Sequence, residues 1–205
     1  MSEPRGTVFV VDDDVAVREA IASLVRSVHL DVRSFETARA FLEAEPLETA
    51  PACLVLDVRL PGSSGLDLQR DLRTRGSTLP IVFLTGYGDV PMTVRAMRAG
   101  AIEFLIKPFR DQDLLDAIQL GLEQSGAERR DHAELAELRQ RYDSLTPRER
   151  QVMARVVAGL PNRKIAAEFG TSEATIKLQR GQVMQKMQAG SLAELVRLAA
   201  RLSAS

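Results

Sequence analysis

Thr7-Val8-Phe9-Val10-Val11-Asp12-Asp13-Asp14 is a β-branched, apolar run that stops abruptly at three carboxylates. A short run of this kind reads as a buried strand, and Val15, Ala22, Leu24 and Val25 follow it at roughly helical spacing. The same strand-then-helix unit recurs down the chain. Val32 to Phe35 leads into a helix over Ala38 to Ala44 with Phe41 and Leu42 inward. Cys53-Leu54-Val55-Leu56 ends at Asp57, turns at Pro61-Gly62 and enters a helix near Gly65 that carries Leu66, Leu68 and Leu72. Pro80 to Leu84 ends at Thr85-Gly86 before a helix from about Val90 to Ala99. Ile102 to Ile106 ends at Lys107-Pro108, a candidate cis bond, before a helix through Leu114, Leu115, Ile118 and Leu122. Five strands alternating with five helices predict a doubly wound α/β domain, its parallel sheet covered on both faces.

Parallel strands put all their carboxyl ends on one edge, which is where open α/β sheets bind ligands. Here those ends carry Asp12, Asp13, Asp57, Thr85 and Lys107, so residues far apart in sequence are expected to share one pocket. No glycine-rich phosphate loop follows the first strand, which argues against a dinucleotide or ATP fold. Three crowded carboxylates need a cation, and hard oxygen ligands beside phosphate chemistry favour Mg²⁺. Asp57 is the plausible nucleophile and phosphate acceptor. Lys107 and Thr85 can clamp phosphoryl oxygens, the one by charge and the other by its hydroxyl. Singly, each of these residues has an ordinary role as a cap or turn former; the set carries the argument.

The whole chain of 205 residues balances 27 Lys+Arg against 28 Asp+Glu, and 45% hydrophobic residues suffice for packed cores. Its charge is unevenly placed. Residues 1–122 hold 13 basic and 18 acidic side chains, whereas residues 144–205 hold ten and four. A basic unit tethered to an acidic one suggests a nucleic-acid reader under the control of something else. The single cysteine, Cys53, excludes a disulfide framework and points to a reducing compartment. With no long apolar stretch and no signal-like start, a soluble, cytoplasmic protein without membrane contact is expected. The two histidines, His29 and His132, support no metal or acid–base site.

From Glu123 to Asp143 the sequence turns polar around a thin apolar thread, Ala133, Leu135, Ala136 and Leu138, and reads as a solvated helical linker. The last sixty residues are helical throughout. Thr146 is a ready cap, with Pro147 at the first helical position and Glu149 reaching back. A helix to Ala158 is followed by a short one around Ile165, Ala166 and Phe169, which stops at Gly170. Thr171-Ser172-Glu173 then turns into a third helix with Ile176, Val183, Met184 and Met187 inward, and a fourth begins at Ser191. Short helix, tight turn, longer helix is a helix-turn-helix arrangement. Outward on the third helix stand Lys177, Gln179, Arg180 and Gln182, with Thr175 near its start and Lys186 further along. Such side chains suit base edges in a major groove. Asn162, Arg163, Lys164 and Thr171 suit phosphate contact. A unit that binds protein instead, and a phosphoryl-transfer enzyme using the acidic pocket, stay open as rival readings.

Residues 7–122 closely resemble the receiver domain of bacterial response regulators. The likeness rests on Val-Val-Asp-Asp-Asp (10–14), Leu-Val-Leu-Asp (54–57) with Leu60-Pro61-Gly62 and Gly65, Phe83-Leu84-Thr85-Gly86, and Phe104 through Phe109. It implies a flavodoxin-like sheet of order 2-1-3-4-5. It also implies Mg²⁺ on Asp13, Asp57 and the Arg59 backbone carbonyl, with Asp12 acting through water. Asp57 would take phosphate from a sensor histidine kinase, with Thr85 and Phe104 as the switch pair. Residues 145–200 resemble the DNA-binding domain of LuxR-type regulators through Leu145-Thr146-Pro147-Arg148-Glu149, Gly159 through Ala166, Thr175 through Leu178, and Lys186-Met187. Gln179 stands where that family commonly has histidine, and Gly181 is a helix-weakening residue in the same helix. Together the halves resemble the FixJ/NarL class, nearest the FixJ-like branch through Thr85 to Met92. The resemblance implies a receiver (1–122), a linker (123–143) and a DNA-binding domain (144–205). It further implies a transcription regulator, often an activator, monomeric until phosphorylation joins two copies through the face of the fourth and fifth receiver helices. Promoter DNA and RNA polymerase are the partners it suggests.

Overall fold

The computed structural model describes residues 6–44, 50–86 and 90–203. Residues 87–89 of the Thr85-to-Met92 passage, and the first five residues, lie outside them. The chain divides into two compact units, Met1–Arg129 and Arg130–Ser205.

In the first unit, strands β1 (Thr7–Val11), β2 (Asp31–Phe35), β3 (Ala52–Asp57), β6 (Ile81–Thr85) and β7 (Glu103–Ile106) form one parallel sheet of order β2-β1-β3-β6-β7. This is the expected doubly wound order once a two-residue hairpin, β4 (Arg59–Leu60) with β5 (Ser63–Ser64), is set aside. The hairpin forms at the expected Pro61-Gly62 turn, where Gly62 has φ 77°. Every residue of β3 is buried, and its side chains alternate between two cores. Leu54 and Leu56 join Phe9, Val11, Ile81 and Phe83 against helices α2 (Ala38–Glu43), α3 (Gly65–Thr74) and α4 (Val90–Arg98). Cys53 and Val55 join Val8, Val10, Val82 and Leu84 against α1 (Val15–Ser27) and α5 (Asp111–Asp143). Burial pushes the Cys53 thiol up to about 12, so this cysteine packs as an apolar residue and does not react as a thiolate.

Helix α5 runs unbroken for 33 residues. The expected linker, 123–143, is therefore helical and continues the helix that follows β7, since no proline stops it. Residues towards both of its ends are buried, each within its own unit. Ser125 is buried, and its hydroxyl accepts the Ala52 amide at 3.1 Å, at the start of β3. Leu138 is buried among Val152, Met153 and Leu195 of the second unit.

That second unit adds α6 (Pro147–Val157), α7 (Asn162–Phe169), α8 (Glu173–Lys186) and α9 (Leu192–Ser203). Thr146 and Glu149 form the expected reciprocal cap of α6. Gly170, at φ 62°, ends α7 in the left-handed conformation, and Ser172 caps α8. Among the described residues no helix is long and apolar enough to cross a membrane. Because Leu138 fills the core from outside the four-helix segment, Leu138→Ala should cost the second unit about 2–5 kcal/mol in a urea titration. A loss below about 1 kcal/mol would contradict that packing role.

Candidate functional site

The in-register sheet brings the strand ends together. Val11 pairs beside Leu56, Asp57 beside Leu84, and Thr85 beside Ile106, so the residues that follow these strands meet at one edge. Asp12 is fully buried, Asp57 nearly so, and Asp13 exposed. One carboxylate oxygen from each of the three lies within 4.8 Å of the others, a spacing a metal ion can bridge. Lys107 reaches in from the end of β7, past a cis bond to Pro108, and its Nζ donates to Asp12 Oδ2 at 2.6 Å and Asp57 Oδ2 at 2.8 Å.

The backbone fixes each member. Asp12 Oδ1 accepts the Asp14 amide, and Arg18 donates to the Asp12 carbonyl. Asp14, the third carboxylate of the run, caps α1 and leaves the other two for the pocket. Asp57 Oδ1 accepts the Arg59 amide at 3.0 Å. Gly65 closes the loop behind Asp57: a Cβ there would sit 2.3 Å from the Asp57 carbonyl oxygen, so only glycine fits. Burial pushes the Asp12 carboxyl above its ordinary value, with the Asp57 charge adding to this against the pull of Lys107. Burial works against the Lys107 ammonium too, but hydrogen bonds to Asp12 and Asp57 outweigh it and hold the lysine above its usual value. Three carboxylates against one ammonium leave a formal charge of −2, which a divalent cation matches. Thr85 is fully buried at the end of β6, and its carbonyl accepts the Lys107 amide at 2.7 Å. Phe104 is half-buried, its ring centroid 6.1 Å from that of Phe83.

In the second unit α8 buries Ile176 and Val183 under it, with Met187 buried just past its end. At 100° of rotation per residue, Ala174, Lys177, Leu178, Gly181, Gln182 and Gln185 fall on the opposite side, all exposed. Of the expected readers, Lys177 and Gln182 stand on this face. Gln179 and Arg180 lie half-buried on its flank. Arg180 donates to Asn162 Oδ1 at 3.4 Å, while Gln179 Oε1 is buried without a hydrogen-bond partner. Arg163 and Lys164 are exposed on the first turn of α7; Thr171 is half-buried in the turn, and the Thr175 hydroxyl bonds that of Ser172 at 2.9 Å.

Residues 8–119 match the response regulator receiver domain family, and residues 143–199 match the bacterial regulatory proteins of the luxR family. The chain is a two-component response regulator of the FixJ/NarL class. It is 48% identical over 201 residues to Nodulation protein W of Bradyrhizobium diazoefficiens, covering 98% of this chain and 88% of that relative. It is 44% identical over 197 residues to the transcriptional regulatory protein FixJ of the same species, covering 96% of each. The solved structure of the response regulator StyR superposes with a TM-score of 0.87 at 48% identity, over 97% of this chain and 100% of that one. The response regulator is thus a phosphorylation-controlled transcriptional regulator, a DNA-binding protein by family.

Lys186 is placed differently from its neighbours on α8. Its ammonium lies 2.6 Å from Glu149 Oε2, whose side chain is 6% exposed, and 3.3 Å from the Ser144 carbonyl. It therefore ties the end of α8 to the cap of α6. Sequence reading missed this because Glu149 was already assigned to its cap, and it missed Leu178, the most exposed large apolar side chain of α8 at 65%. The Lys186 hydrogen bond, seconded by the Thr146 amide, holds the Glu149 carboxyl below its ordinary value despite burial. A lowered carboxylate stabilises the fold above its unfolded value, and that stabilisation is lost as pH falls through the folded one. Lys186→Gln should therefore destabilise the second unit by about 1–3 kcal/mol at neutral pH. In pH-resolved urea melts the gap to wild type should close well below the ordinary glutamate value of about 4.3; a gap that persists there would contradict the pairing.

Proposed function

We propose that Asp57 accepts a phosphoryl group from a sensor histidine kinase, and that the resulting change at Thr85 and Phe104 controls DNA binding by the second unit. The supporting observation is the bridge from Lys107 to Asp12 and Asp57, which gathers strand ends up to 95 residues apart into one anionic pocket. Asp13, Asp57 and the Arg59 carbonyl would hold Mg²⁺, with Asp12 acting through water; their all-oxygen donor set and surplus negative charge suit that ion. When bound it supplies positive charge to the equatorial phosphoryl oxygens.

The protein's own groups do the rest. An Asp57 carboxylate oxygen attacks phosphorus as the bond to the kinase's histidine nitrogen breaks, giving an acyl phosphate on the aspartate and a free imidazole. Lys107, already beside Asp57, stays within reach of the added charge, and the Thr85 hydroxyl donates to a phosphoryl oxygen. Movement of Thr85 towards the phosphate frees room for the half-buried Phe104 ring, which changes the face formed by α4, β7 and α5. Two copies joined through that face would present two DNA-binding units, and effective concentration would raise affinity for a paired site in promoter DNA. RNA polymerase is a further partner in this reading. On α8, Lys177 and Gln182 reach base edges, with Arg180, Gln179 and Thr175 at the flank; Asn162, Arg163, Lys164 and Thr171 meet phosphates. Lys186 serves this surface by anchoring α8.

Asp57→Asn should leave the circular dichroism spectrum unchanged while removing phosphate uptake from acetyl phosphate and the phosphorylation-dependent gain in promoter affinity. Incorporation at the wild-type level in the variant would refute Asp57 as the acceptor.

A further inference from the structure

The second unit carries a cavity of about 480 Å³ between the last turns of α5, helix α6 and helix α9. That is room enough for a small organic molecule. One side of it is apolar. Met153 is buried there, and Val157 and Leu202 stand half-buried beside it, packed against the same core. Apolar surface left facing such a space forfeits the free energy that burial against another apolar group would give. Ala154, exposed on α6, lines the cavity as well.

The polar lining is unevenly charged, with the guanidinium groups of Arg139 and Arg150 against the single carboxylate of Asp143. Arg150 donates to the Asp143 backbone carbonyl at 2.9 Å and lies 5.1 Å from the centroid of the Tyr142 ring. The Asp143 carboxylate itself is 3.6 Å from Arg150 and largely exposed, so it neutralises the arginine only weakly. Arg150 Nε is buried without an acceptor, and a buried donor left unmet is costly. Arg139 is exposed and has no ion pair or hydrogen bond among the described residues. The cavity therefore combines an apolar wall with guanidinium groups whose hydrogen-bonding capacity is only partly used.

That combination suits a ligand with a hydrocarbon body and one negative charge. A carboxylate matches a guanidinium in shape as well as in charge. We propose that this cavity binds a small aliphatic monocarboxylate, its chain against Met153, Val157 and Leu202 and its carboxylate at Arg150 and Arg139. The arginines refuse a cation of the same shape, and a second carboxylate on the ligand would be driven against the apolar wall. None of these residues belongs to the acidic pocket or to the outer face of α8, so the inference stands apart from the phosphorylation and DNA-reading proposals. A ligand that touches α5, α6 and α9 together also stabilises the folded unit by mass action.

The test is calorimetric titration of the full chain with octanoate, and with octylammonium as a probe of equal length and opposite charge. Octanoate should occupy one site with a Kd of about 10–100 µM, the affinity that about ten non-hydrogen atoms reach at moderate efficiency. Octylammonium should give no saturable binding. Arg150→Gln should hold octanoate at least about tenfold more weakly, the loss of a charge-assisted pair. Because Arg150 also bonds the Asp143 carbonyl, a second variant tests the cavity without touching that contact: Ala154→Leu fills the space from an exposed position and should abolish binding while leaving the circular dichroism spectrum unchanged. An octanoate Kd weaker than about 1 mM, octylammonium binding as tight as octanoate, or wild-type affinity in either variant would overturn the proposal.

Discussion

Lys107 Nζ, towards the end of the receiver sequence, holds one carboxylate from its start and one from its middle, and the functional edge of the sheet depends on this contact. Asp12 is fully buried and Asp57 nearly so. Burying charged carboxylates side by side is costly unless an opposite charge meets them. The ammonium meets both, at 2.6 and 2.8 Å, and still leaves the pocket with surplus negative charge. That residue of unbalanced charge is what makes the edge a receptor: it favours a divalent cation, and through the cation a phosphoryl group. The strands supply the precision. Their parallel register places Asp12, Asp57, Thr85 and Lys107 in adjacent rows, and the two buried cores on either side keep that register from slipping.

The second unit uses charge in a different way. Its arginines and lysines divide between those that hold the fold and those that face solvent. Arg155 makes a two-pronged pair with Glu168 that ties α6 to α7, Arg148 lies over the Phe169 ring, and Lys186 anchors the end of α8. Arg163, Lys164 and Lys177 are exposed. A net basic count therefore overstates the charge on the helix-turn-helix face, where Arg163 and Lys164 stand on the first turn of α7 and Lys177 on the outer face of α8, while Arg130, Arg139 and Arg197 are exposed elsewhere in the unit.

The alternating apolar runs and their polar stops were enough to foresee the sheet, its order through the family likeness, and the convergence of Asp12, Asp13, Asp57, Thr85 and Lys107. Those features follow from local periodicity and from the geometry common to all parallel sheets. What escaped the sequence was decided by tertiary packing. The polar composition after Glu123 suggested a solvated helical linker; the segment is helical, but Ser125 and Leu138 within it are buried, Ser125 against the distant Ala52 amide and Leu138 in the cluster that holds Leu195. The phase of α8 was set by Ile176 and Val183, which turned Gln179 and Arg180 to the flank and Leu178 outward. A list of polar residues could not show that Lys186 already had a buried partner, nor that an apolar residue occupied the exposed face.

The most direct test of the central claim is to locate the phosphoryl group itself. Protein treated with acetyl phosphate and Mg²⁺ can be reduced with borohydride, which converts an aspartyl phosphate to a stable alcohol, and then mapped by mass spectrometry. The geometry predicts conversion at Asp57 alone, with Asp12 and Asp13 unmodified. Conversion at either neighbour, or at a carboxylate away from Lys107, would contradict it.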